Sequence, residues 1–184
     1  MQTVIPILLW LVSWQAFAQT DSLLAFDRRM RRLGRVHAAV LAGWAGLNVA
    51  TGAVLSLKSG GEAACFHAMN LSWGVINGSI AGFFYWHIRK SEVPPKALLR
   101  RLALQHHVEK VLLLNIGLDV AYVATGFALR EHGLVPGISY PQLWRGFGTS
   151  LLVQGAFLLL QDSVFYCLHA RNGKQLHGAG KVQP

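Results

Sequence analysis

Four long apolar stretches, residues 36–57, 63–88, 111–129 and 146–170, most constrain what this chain can become. Each is long enough to cross a bilayer as a helix, which takes about 20 residues. Asp119 and Asp162 are the only formal charges within them. In hydrocarbon the backbone must satisfy its own hydrogen bonds, so such stretches become helices. The expectation is an all-α protein, a membrane-embedded four-helix bundle. The bundle would occupy residues 36–172, with residues 173–184 as a basic flexible tail.

Charge bears on the partner. The net charge is +9, which could suit nucleic acid. The basic residues, however, lie in short segments flanking the apolar stretches. That pattern orients helices, and the partner it implies is a lipid bilayer with anionic headgroups, not nucleic acid. Cys65 and Cys167 fall at opposite ends of the bundle in this arrangement. A disulfide needs Cα atoms within about 7 Å, so none is expected.

Two segments precede the bundle. Residues 4–17 are apolar and end in Ala16, Phe17 and Ala18, an Ala-x-Ala pattern like that of a secretory signal. No Lys or Arg precedes Val4, unlike a usual signal. Residues 1–18 are thus a signal-like or anchoring segment. Residues 19–35 then combine Leu23, Leu24, Phe26, Met30 and Leu33 with five arginines, the pattern of an amphipathic helix lying in the membrane interface.

The basic residues set a topology. Arg28, Arg29, Arg31, Arg32 and Arg35 precede the first span, and Arg89, Lys90, Lys96, Arg100 and Arg101 link the second to the third. Arg171, Lys174 and Lys181 follow the fourth, making 13 residues, against Lys58, Arg130 and Arg145 in the other two links. Both flanks of the bundle are therefore expected on the cytoplasmic side. In general plan the chain resembles small four-helix proteins of the bacterial inner membrane, a resemblance that assigns no residue roles. Pro94 and Pro95 break the second link, and Pro136, Gly137 and Pro141 make the third a loop.

A short repeat runs through the spans. Val49, Ala50, Thr51 and Gly52 recur as Val123, Ala124, Thr125 and Gly126. Each set ends a span that leads into a loop and another span, as in two parallel hairpins. The match is short and of common membrane residue types, so chance explains it equally well.

Packing and polarity suggest what meets inside. Helices in lipid associate through close packing and hydrogen bonds. Gly74, Gly78 and Gly82 form a row on the second span, and Ala38, Ala42, Gly46 and Ala50 a row on the first. The two rows are expected to touch. Counted at about 1.5 Å per residue, Asn48, Asn77, Asp119 and Gln154 fall near one depth, one from each span. Trp44, Thr51, Asn70, Trp73, Asn115 and Tyr122 extend their stripes. Such groups must face inward and pair. Asp119 has no basic residue at its depth, so it would be a protonated donor or would hold a cation. Asp162 would face Asn115 or interfacial water.

Four histidines also share a level. His37, His87, His107 and His169 fall within about 5 Å in height at the cytoplasmic end. Two facing histidines would suit a b-type haem, and three with Glu109 or Asp162 a metal. Interfacial histidines also simply contact headgroups and helix ends. No nucleophile triad or phosphate-binding glycine loop is present.

Three readings follow. The first is a structural or accessory membrane component without its own catalysis, working as a homo-oligomer or beside another membrane protein. The second is a haem- or metal-binding redox protein using the histidines. The third is a small transporter or proton pathway centred on Asp119.

Overall fold

The computed structural model describes the backbone of residues 4–90 and 97–180, and the side chains of residues 21–90, 97–174 and 176. Four helices follow in order: α1 (Val4–Lys58), α2 (Gly61–Lys90), α3 (Leu98–His132) and α4 (Pro141–Gly180). The described residues contain no strand.

α1 is one helix of 55 residues, about 82 Å long at 1.5 Å per residue. The signal-like segment, the amphipathic segment and the first apolar stretch are continuous in it. The sequence offers no reason to break it. Pro6 lies in the first turn, where its missing N–H costs nothing. The pattern of Leu, Ala, Arg and Met beyond it favours helix.

Short links fold the chain into two antiparallel hairpins. Gly61, at φ 57°, turns α1 into α2. Gly137, at φ 80°, and Tyr140, at φ 58°, shape the link from α3, after which Pro141 opens α4. α1 packs on α2, α3 packs on α4, and α4 also touches α1 and α2. The end bearing the α1–α2 and α3–α4 links is the outer end below. The other is the inner end.

The two hairpins share one packing register. A Cβ added to Gly74 would lie 2.9 Å from the Ala45 carbonyl oxygen and 2.9 Å from the Val49 nitrogen. A Cβ on Gly155 would lie 3.1 Å from the Asp119 oxygen and 3.0 Å from the Val123 nitrogen. A Cβ on Gly52 would lie 2.8 Å from the Leu71 nitrogen, and one on Gly126 would lie 2.9 Å from that of Leu152. Ala45, Val49 and Gly52 thus correspond to Asp119, Val123 and Gly126. The short sequence repeat is embedded in a repeat of contacts.

The inner end holds a hydrophobic cluster. Phe26, Met30 and Leu176 are buried together, with Leu98 and Leu102 packed against them. The amphipathic segment therefore turns its apolar face onto α3 and α4 rather than lying alone. The residues expected as a flexible tail continue α4 as helix through Gly180, and Leu176 is among their buried side chains. Beside this cluster, Arg101 makes a two-pronged bond to Asp27, with the shortest N–O distance 2.6 Å.

Among the described residues, three stretches are long and apolar enough to cross a membrane: Asp21–Lys58, Leu98–His132 and Pro141–Lys174. The expected fourth, α2, is long enough at 30 residues. Asn70, Ser72, Asn77, Ser79 and three mid-helix glycines lower its hydropathy.

Candidate functional site

Gln154 of α4 is fully buried and gathers the outer half of the interior. Its Nε2 donates to Asn48 Oδ1 at 2.8 Å and to Asn70 Oδ1 at 2.9 Å. Its Oε1 accepts from Trp44 Nε1 at 2.7 Å. Ser150 Oγ donates to Asn70 Oδ1 at 2.6 Å, and Asn48 Nδ2 donates to the Trp44 carbonyl at 2.8 Å. The Trp44 ring stacks on Phe157, 4.0 Å between centroids. Every bond here joins an amide, an indole, a hydroxyl or a carbonyl, and none of these groups titrates near neutrality.

Two of the four expected layer residues, Asn48 and Gln154, are therefore bonded to each other. Asn77 and Asp119 are not in the network. Both are 3% exposed, and Asn77 Nδ2 and Asp119 Oδ2 have no hydrogen-bond partner. The reason is register. Asn77 is seven residues past Asn70, about 10 Å further inward, so Asn70 takes the level of Gln154. Asp119 meets α4 on the side of Gly155. Ser150, which sequence reasoning missed, could have been found as the polar residue one turn from Gln154.

The inner half is built from ionisable groups. His37 Nε2 lies 3.0 Å from Asp162 Oδ1. The His37 ring stacks on Phe165 at 4.3 Å and meets Phe84 edge-on at 6.3 Å. Asp162 thus pairs with α1, not with Asn115. One level further in, His169 is buried. Gln105 Nε2 donates to both the His169 carbonyl and Glu109 Oε1, each at 2.7 Å. His169 Nδ1, Gln105 Oε1 and both amide atoms of Asn172 are buried without partners.

The histidine ring does not close. His37 and His169 face the interior, whereas His87 and His107 are exposed. His87 stacks on Phe83, at 6.5 Å. Among the described residues no group of three or more His, Cys, Asp or Glu is placed to hold a metal. His37 turns Nε2 to Asp162 and its ring is stacked on Phe165. Equal height does not give equal facing.

The expected packing rows are likewise realised at one point. Gly74 is the close approach to α1. Gly78 has room, with Ala45 Cβ 3.6 Å from its added Cβ, and Gly46 and Gly82 meet nothing within 4 Å. Ala42, Gly46, Ala50, Gly78 and Ser79 instead line a shallow outer groove between α1 and α2. Cys65 and Cys167 are not bridged.

Residues 40–163 match the model of a family of unknown function, DUF6992. The chain belongs to this family. The DUF6992 segment holds the whole Gln154 network, together with Gln105, Glu109, Asp119 and Asp162. His37, His169, Asn172 and Asp27 lie outside it. No curated protein and no solved structure matches the chain.

Proposed function

We propose that this is a small multi-pass integral membrane protein whose four helices all cross the bilayer. It acts as a structural or accessory component without its own catalysis. The observation carrying this reading is inverted polarity. Leu47, Ile76, Phe83, Leu114, Phe127 and Leu160 are exposed, while Asn48, Asn70, Asp119, Gln154 and Gln161 are buried. Apolar surface facing water costs about 25 cal/mol per Å², so lipid suits this exterior. Polar groups in lipid must turn inward, as these do.

α2 fits as the fourth span because Asn70 and Asn77 face the bundle. The exposed Tyr85 and Trp86 near its inner end suit a membrane interface. The basic count supports a cytoplasmic inner end, with exposed Arg28, Arg29, Arg32 and Arg35 available to anionic headgroups. A bacterial inner membrane is the setting this implies. The closed Gln154 network supports the structural role, since it ties α1, α2 and α4 together. Membrane fractionation tests the proposal. The protein should stay with membranes through alkaline carbonate and need detergent for release. Release by carbonate alone would defeat it.

A second reading, a proton or cation pathway, is favoured by the ionisable groups of the inner half. Buried carboxylates within spans commonly serve transport.

A further inference from the structure

We infer that the groove between α1 and α2 holds one anionic phospholipid, with an acyl chain along Ala42, Gly46 and Gly78 and the phosphate among Arg31, Arg35 and Lys90. The inference rests on the membrane reading and adds a specific ligand to it.

The groove lies beside the seam of the first hairpin. That seam is close at Gly74, against Ala45 and Val49, and at Gly34, whose added Cβ would lie 2.9 Å from Ile88 Cδ1. Trp44 and Asn48 bond to α4 on one side of the seam. On the other side Ala42, Gly46 and Ala50 are exposed, and a Cβ added to Gly46 or Gly82 would meet nothing within 4 Å. The groove has a volume of about 530 Å³. Its walls are glycine, alanine and valine apart from Ser79, whose Oγ already donates to the Val75 carbonyl at 2.8 Å. No lining side chain therefore asks for a polar partner. In a bilayer a flexible acyl chain supplies the dispersion contacts that such a surface otherwise lacks.

The inner mouth of the groove is basic. Arg31, Arg35, Ala42 and Gly46 follow one another at four, seven and four residues, so they share one face of α1. Gly78, Gly82, Trp86 and Lys90 follow at four-residue steps on α2. The two helices run antiparallel through the Gly34–Ile88 contact. Arg31 and Arg32 are thus near the level of Lys90, and Arg35 near that of Trp86. Lys90 Nζ sits over the Trp86 ring, 4.4 Å from its centre. Among the described residues the ion pairs are His37–Asp162, Asp27–Arg101 and Glu62–Arg145, and none uses Arg31, Arg35 or Lys90. The described acids on these two inner ends are Asp27, which Arg101 holds, and Asp21, about 15 Å before Arg31 along the helix. Like charges held level on neighbouring helices repel, and a phosphate between them removes that repulsion. Arginine forks match phosphate oxygens, and basic pockets between spans take anionic headgroups.

The dimensions suit one lipid. Arg35 to Ala42 is about 10 Å along α1, and Ala42 to Ala50 about 12 Å more. The sum, about 22 Å, is half of a membrane about 40–45 Å thick with its headgroups. A phospholipid of the inner leaflet has that reach.

The test reconstitutes the full chain in phosphatidylcholine vesicles with a trace of phosphatidylglycerol or phosphatidylcholine spin-labelled on the chain. The motionally restricted share of the signal should show phosphatidylglycerol held roughly tenfold or more tightly, the effect of two arginines at a membrane surface. Arg31→Gln combined with Arg35→Gln should remove most of that preference. Arg29→Gln, on the opposite face of α1, should leave it. Gly46→Leu and Ala42→Leu fill the groove and should each weaken phosphatidylglycerol binding, with melting in lipid-free detergent unchanged. Equal retention of the two lipids, an equal loss in Arg29→Gln, or full binding in both groove variants would each overturn the site. So would displacement of the lipid by millimolar inorganic phosphate, which would show an anion site without a chain. Disulfide cross-linking between copies carrying Ser79→Cys, with Cys65→Ser and Cys167→Ser, would overturn it by placing a second copy in the groove. Loss of the protein from vesicles in carbonate would instead overturn the membrane reading beneath it.

Discussion

Gln154 and Asp119 are both buried polar residues at mid-bundle, yet their neighbours give them opposite roles in stability. Gln154→Leu keeps the volume but leaves Trp44 Nε1, Asn48 Oδ1 and one bond of Asn70 unsatisfied. At about 1–3 kcal/mol for each stranded group, the loss should reach about 3 kcal/mol or more. Asp119→Leu strands no partner and removes an unpartnered oxygen from the interior. It should leave stability within about 1 kcal/mol of the parent or raise it. Thermal unfolding in detergent compares the two. Equal losses would show that Asp119 is bonded as tightly as Gln154. From the sequence alone, Asp119 looked like a member of the same layer, because counting residues gives depth without naming the partner. The partner is set by which side of α4 each helix meets.

At the level of helices, the same limit explains the glycine rows. Gly74, Gly78 and Gly82 share one face of α2, which is legible from their spacing. Helices cross at an angle, so two such faces come closest at one level and diverge beyond it. That level is Gly74, against Ala45 and Val49. Its counterpart in the second hairpin is Gly155, which no row in the sequence announced. Gly74→Leu and Gly155→Leu should therefore each destabilise by about 1–3 kcal/mol or more, as overpacking does. Gly78→Leu and Gly82→Leu should change little. Melting temperatures of the four variants decide this, and a tolerant Gly155→Leu would break the equivalence of the hairpins. The amphipathic segment was legible as a pattern of Phe26, Met30 and arginines. Its partner was not, because α3 and α4 had first to be seen extending past the apolar stretches to bring Leu102 and Leu176 alongside.

For the whole molecule, the apolar stretches made the helices, their approximate ends and their inward polar faces readable. The histidines show where height without facing misleads. The buried line of α3 runs through Arg101, Gln105, Leu112, Asp119 and Gly126, and His107 is off it. That of α2 runs through Asn70, Gly74, Asn77 and Ala81, and His87 is off it. Extending each helix's polar line toward its end would have kept only His37 and His169. Orientation is what the basic residues predict. With the inner end cytoplasmic, Ser59 is expected on the far side and Ser91, which lies outside the described residues, on the near side. Single cysteines test this in a background with Cys65→Ser and Cys167→Ser. Ser59→Cys should react with a membrane-impermeant maleimide in intact cells. Ser91→Cys should react only once the membrane is opened, because the basic link between α2 and α3 would be costly to translocate. Reaction of Ser91→Cys in intact cells, with Ser59→Cys protected, would invert the orientation and place the arginines of α1 on the external face.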